Sequence, residues 1–247
     1  MNSDVWTMVW KEWKELFARQ GRFGGGATNF LLVLAVFGVF MPWQFGRAWV
    51  DSPMMLIYWG WVPLSLLSTV VVDAFAGERE RHTLETLLVS RLPDHAILFG
   101  KLLAAVAYGL AVTTGSLVLG LVTANVVAGH GSLLLYPAAT LMGALITSVL
   151  GATLIACLGV LVSIRAASVR QAGQLMGVAV LLAAFAPVLA ARALTHYWKT
   201  GGHVNPSMMP VQTALLGIVV VGMLVLVDAG LIGATLLRFR RSRLLLE

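Results

Sequence analysis

Cysteine is nearly missing from this sequence: Cys157 stands alone, so no intrachain disulfide can form. No basic group lies near it in sequence to stabilise a thiolate, which reads as a small core residue rather than a reactive thiol. Charge is also scarce, with Asp, Glu, Lys and Arg making up 11% of the 247 residues against 59% hydrophobic. A soluble domain of this length needs far more polar surface to cover its core. No Gly-x-x-x-x-Gly-Lys-Ser/Thr is present, since Gly100-Lys101 lacks both the upstream Gly and the following hydroxyl. ATP binding is therefore not assigned to this chain. No His/Asp/Glu/Ser constellation stands at membrane depth, which argues against a membrane enzyme and leaves no catalytic residues to nominate. There is no internal repeat, no low-complexity linker, and no expected cleavable signal, because the first apolar stretch follows a charged segment of 26 residues.

What the sequence has instead is long uncharged runs. Phe23–Gly46 holds 24 residues, Ser52–Val72 21, Leu102–Ile164 63, Gln171–Ala191 21 and Thr200–Val227 28. A helix needs about 20 apolar residues to cross the hydrocarbon core. The longest run is too long for one crossing and is broken at Ala128-Gly129-His130-Gly131-Ser132, which reads as a tight turn. The expectation is an all-α integral membrane protein with six transmembrane helices near 27–45, 54–72, 97–127, 134–163, 173–192 and 212–237. Segment 1–26 precedes this 27–237 domain and a basic tail, 238–247, follows it.

Charge sets the expected orientation. An even number of crossings puts both termini on one side. If that side is the cytoplasm, segments 1–26, 73–96, 164–171 and 238–247, with Lys101, carry 14 of the 17 basic residues. Arg47, Arg192 and Lys199 make up the other 3. That asymmetry places both termini in the cytoplasm of a cell (inner) membrane protein. The net charge of +6 is then a topology signal rather than a sign of nucleic-acid binding.

Trp6, Trp10, Trp13 and Phe17 fall on one helical stripe, with Lys11, Lys14 and Glu15 on the other side. Such a helix lies in the membrane interface with its aromatic face in the acyl boundary, as an anchor or as a moving elbow. His196, His203, Met208 and Met209 share an outer loop, but their spacing matches no structural zinc pattern and no metal site is assigned.

The most specific segment follows the second run: Phe75-Ala76-Gly77-Glu78-Arg79-Glu80-Arg81-His82-Thr83-Leu84-Glu85-Thr86-Leu87-Leu88. Leu84, Leu87 and Leu88 make a short apolar face, and Arg81 with Glu85 is an i, i+4 pair. Asp94, after Pro93, is placed to cap the next helix. The leucines can bury against lipid, the protein's own helix ends or a partner, and periodicity does not choose.

This segment, the Gly100-Lys101-Leu102 that follows and the N-terminal Lys11-Glu12-Trp13-Lys14-Glu15-Leu16 together resemble the permease subunits of ABC-2 type transporters. His82 stands where that pattern usually has Gly, which blurs the start of the short helix. The resemblance implies an N-terminal interfacial elbow helix (Trp6, Trp10, Trp13, Phe17). It also implies a short cytosolic coupling helix between helices 2 and 3, carried by Glu78, Arg79, Glu80, Arg81, Thr83, Leu84, Glu85, Leu87 and Leu88. Its implied partners are two nucleotide-binding ATPase subunits, which would bind ATP and Mg, and a second permease copy or homologue. Cofactors in this chain itself are none, and the implied function is ATP-driven export.

Asp228 supports a competing reading, an ion-gradient-driven secondary transporter or channel. It is the only acid inside an expected crossing, and Arg238 lies ten positions on, about 15 Å at the helical rise. A charged Asp at that depth costs about 2.5–3.5 kcal/mol on insertion scales. It therefore is protonated, or meets a polar partner or water in the bundle, either as a structural hydrogen bond or as a polar contact in the pathway or at a dimer seam. The charge asymmetry yields a test of topology. In a Cys157→Ala background, cysteines at positions 130 or 203 should label from outside intact cells, and those at 82 or 242 only after permeabilisation. External labelling at 82 would overturn the orientation.

Overall fold

The computed structural model describes residues 2–20, 25–52, 56–80, 93–129, 131–166, 168–200 and 209–238. Every regular element among them is helical. In chain order these are α1 (Asn2–Gln20), α2 (Gly25–Ala35), a π-helical turn (Val36–Phe40), α3 (Met41–Phe45), α4 (Arg47–Asp51), α5 (Leu56–Glu80), α6 (Asp94–Ala128), α7 (Ala138–Arg165), α8 (Val169–Thr200) and α9 (Met209–Arg238). Four stretches among the described residues are long and apolar enough to cross a membrane: Thr28–Phe45, His95–Ala128, Ala138–Arg165 and Val221–Arg238. Val169–Ala183 is a shorter apolar helix.

The centre of the bundle is α7, which packs against α5, α6, α8 and α9. Its buried positions include Ala144, Ser148, Gly151, Ala152, Ile155, Ala156, Gly159, Val160 and Ser163, spaced three and four apart. Most of these side chains are small, so neighbouring backbones approach closely and dispersion contacts accumulate where no water is left to drive association. A buried hydrogen bond of 2.9 Å between Thr113 on α6 and Ser148 on α7 fixes the register of that pair.

The first apolar helix is not continuous. Pro42 has no N–H to give the carbonyl four residues back, that of Gly38, and the chain widens into the π turn just before it. The freed Gly38 carbonyl accepts a hydrogen bond of 2.8 Å from the Thr123 hydroxyl of α6. Gly46 then takes φ +52°, a conformation that favours glycine, and reverses the chain into α4. Trp49 of α4 packs on Trp59 of α5 with ring centroids 5.1 Å apart, and Trp59 meets Tyr136 edge-on at 6.5 Å. This aromatic wedge closes one end of the bundle.

Two boundaries differ from expectation. Asp94 does not occupy the N-cap of α6. Pro93 does, in extended conformation with no side-chain cap, and its carbonyl accepts the N–H groups of Ala96 and Ile97. The turn after α6 is followed by an extended stretch, so α7 starts at Ala138 behind Pro137. The Asn125 amide holds that stretch by donating to the Leu134 carbonyl at 2.9 Å and accepting its N–H at 2.7 Å.

The Thr123–Gly38 bond generates a prediction. The Thr123 hydroxyl also reaches the Leu119 carbonyl at 3.0 Å; Thr123→Val takes this donor from the part-buried Gly38 carbonyl and should cost about 1 kcal/mol. In a Pro42→Ala background a backbone N–H returns to position 42, and the same change should cost much less. Thermal unfolding of the four proteins in one detergent measures the coupling, and additive losses would refute the assignment.

Candidate functional site

At the other end of the bundle α1 crosses the first turns of α6. A Cβ on Gly100 would stand 2.5 Å from the Met8 Cβ, so only glycine allows the crossing at this distance. Met8 is buried there, and one turn further along α1 Glu12 is buried too. The residue after Gly100 is Lys101, and the close crossing brings its ammonium to Glu12.

Lys101 is 3% exposed. Its Nζ donates to Glu12 Oε1 at 2.8 Å and to the Ala74 carbonyl at 2.9 Å, and it lies 2.9 Å from Glu78 Oε1. Two of the ammonium's donors are thus placed in hydrogen bonds, and the Glu78 carboxylate adds an ion pair. The Phe75 ring lies 5.1 Å from the same nitrogen and adds a cation–π contact. Lys11 reaches Glu78 at 3.3 Å, Glu15 at 3.1 Å and Glu12 at 3.5 Å. Burial by itself lowers the Lys11 pKa, but the carboxylates of Glu78, Glu12 and Glu15 outweigh it and hold the ammonium above its ordinary value. Lys11 thus stays charged at neutral pH, and two buried carboxylates face two ammonium groups.

Carboxylate oxygens of Glu12, Glu15 and Glu78 lie within 4.8 Å of one another. Lys11 and Lys101 supply two positive charges against these three carboxylates. A cavity of about 20 Å³ adjoins it, lined by Glu12, Ala74, Phe75, Lys101 and Ala105 among others. That is room for one water and not for a transported molecule. The cluster ties three segments together, α1, the end of α5 and the start of α6.

Several residues singled out from sequence fall in or near this site. Glu78, Arg79 and Glu80 form the last turn of α5; Glu78 points into the cluster. The Glu80 carboxylate instead accepts the Val169 N–H at 3.2 Å, at the start of α8. Arg81, Thr83, Leu84, Glu85, Leu87 and Leu88 lie outside the described residues. On α1, Trp6 and Trp10 are exposed, Lys14 stands 5.3 Å over the Trp10 ring, and Trp13 is half-buried. Phe17 belongs to the same helix, with its side chain outside the description. Glu12 was not distinguished by its sequence neighbourhood. The signal available was Lys101 at the edge of a long uncharged run, a cation whose burial demands a carboxylate from elsewhere.

Asp228 lies far from this cluster in the fold, on α9 against α7. It is 4% exposed, and neither carboxyl oxygen has a hydrogen-bond partner among the described residues. The Cys157 thiol faces both Asp228 and Thr235. His196 is on α8, and His203 and Met208 lie outside the described residues.

A family model described as ABC-2 type transporter matches residues 3–219. The chain belongs to that family. It is a multi-pass membrane protein and carries the permease domain, and the ATPase is not part of this chain. ABC-2 permeases generally pair with nucleotide-binding ATPase subunits. The match spans Glu12, Glu78 and Lys101 and stops short of Asp228. No curated protein matches the chain.

The cluster predicts non-additive mutants. Lys101→Met strands two buried carboxylates and should destabilise by about 3–5 kcal/mol. Adding Glu12→Gln and Glu78→Gln removes the stranded charges and should recover much of that loss. Melting temperature and detergent-extracted yield report it; a triple variant worse than Lys101→Met alone would show that charge balance is not what the site supplies.

Proposed function

We propose that this permease drives export with ATP hydrolysed on two separate nucleotide-binding subunits, which bind ATP and Mg. The six-crossing layout is part of this reading, with α5 and α8 as the second and fifth crossings and both termini in the cytoplasm. Two permease copies, or this chain with a homologue, surround the path. The segment 81–92 docks on the ATPase through Leu84, Leu87 and Leu88. α1 lies in the interface as the elbow, its exposed Trp6 and Trp10 turned to lipid.

The observation that carries the reading is the buried ion cluster. A segment that only linked two crossings would not need a buried, ion-paired ammonium at its root. Here the residues flanking 81–92, Glu78 before it and Lys101 after it, are bonded to each other and to Glu12 of α1. A displacement of the docking segment is delivered to three helices together.

One observation favours a second reading. The buried, unpartnered carboxyl of Asp228 suits an ion-driven carrier. In that case activity persists without ATP and is lost in Asp228→Asn.

Purification in mild detergent tests the first reading. The particle should hold two permease chains and two ATPase subunits. Glu85→Arg or Leu87→Asp should leave insertion intact and weaken ATPase retention by about 2 kcal/mol or more, as for a central interface residue. A particle with one permease chain, or one that retains no ATPase under any mild condition, would reject the reading.

A further inference from the structure

Glu78 and Glu80 are two residues apart on one helix, so they project about 200° apart around its axis. The structure uses both directions. Glu78 turns to Lys101 and Lys11, toward α6 and α1. Glu80 turns to the opposite side, where its Oε2 accepts the Val169 N–H at 3.2 Å. That N–H is one of the orphan donors at the start of α8, and the positive end of the helix favours the carboxylate. Ser168 attends to a different donor, accepting the Gln171 N–H at 3.2 Å.

We infer that Glu80 is a positioning residue that fastens α8 to α5, so that the last turn of α5 is a fork. One prong, Glu78, moves α1 and α6, and the other, Glu80, moves α8. Glu80 then acts inside the permease and is not a contact of the ATPase. The inference rests on the coupling reading above and adds the route by which the α8 side of the bundle follows the docking segment. The α5 helix runs unbroken through Glu78 and Glu80, so the two prongs share one rigid root.

The test needs no transported substrate. The complete complex with its ATPase is prepared in a Cys157→Ala background and carries one spin label at a time. The first site is Gly173→Cys on α8, where an added Cβ meets nothing within 4 Å. The second is Leu103→Cys on α6, which is 51% exposed. ATP with vanadate should change the label spectrum at both sites. Glu80→Ala should cut the change at 173 by at least half, leave the change at 103, and leave ATPase retention unchanged. Glu80→Gln keeps a carbonyl acceptor and should preserve most of the response at 173. The inference fails if Glu80→Ala responds like wild type at 173, or if it loses ATPase retention together with both responses, which would make Glu80 a docking residue. It also fails if Ser168→Asp, which strengthens the α8 cap without tying it to α5, restores the response. A complex without Glu80 changes that is silent at both sites overturns the coupling reading itself, and this inference with it.

Discussion

The arrangement of this permease depends on one desolvated cation. Removing an ammonium from water costs several kcal/mol, and attraction repays it only when countercharge stands close and hydrogen bonds are made. Lys101 meets those conditions with two carboxylates and a carbonyl, drawn from α1 and α5 and reached from α6. None of the three helices can shift along another without stranding a charge. The absence of a side chain at Gly100 is part of the same constraint, because a Cβ there would push α1, and Glu12 with it, away from Lys101. An apolar contact of similar area would tolerate sliding; a buried, ion-paired ammonium does not.

The opposite regime holds on the far side of the bundle. α9 packs chiefly against α7 and has few contacts with α8. Leu226 and Ile218 on it are among the most exposed apolar side chains of the described residues. In a membrane protein such surface meets lipid or another chain and needs no cover from its own fold. Asp228 and Thr235 are the buried polar side chains among the described residues of that helix, with Asp228 turned inward to α7. A second polar group of this kind, Thr113 with Ser148, is fully paired at the α6–α7 contact. The difference between those sites is a difference in partner supply: hydroxyl meets hydroxyl in one, while in the other the carboxyl oxygens have no hydrogen-bond partner among the described residues.

Much of this was readable from sequence because helix formation in lipid is a local matter. Uncharged length and the glycines near 129–131 bracket α6 and α7 within a few residues, since every backbone group in such a segment must be paired within it. The inward turn of Asp228 follows from the cost of a charge in hydrocarbon. The π turn was not readable, although its cause, Pro42, stands in plain sight. Whether the freed carbonyl kinks the helix or finds a donor depends on Thr123, 85 residues away. Glu12 was unreadable for the same reason. It lies 89 residues from Lys101, and nothing in the pattern around it separates a buried carboxylate from the partly exposed acids Asp4 and Glu15 on the same helix. Aromatic periodicity drew attention to the Trp6–Trp10 stripe, which is exposed, while the packed face of α1 is set by Met8 and Glu12.

The Gly77–Glu80 stretch shows why a short motif can be rich in charge and yet serve packing. Surface ion pairs contribute little, because water and salt compete for both partners. Glu78 escapes that limit by burial, being 4% exposed against Lys101. Glu80 is exposed, and its bond to Val169 is to a backbone N–H that has no partner within its own helix. Replacing either acid by its amide keeps an acceptor. Only at position 78 does the amide also leave a buried cation short of countercharge, so the same chemical change is a large perturbation at one position and a small one two residues on. Acids that look equivalent in the sequence therefore differ in what they fix: the first sets where three helices meet, and the second sets how the start of α8 follows α5.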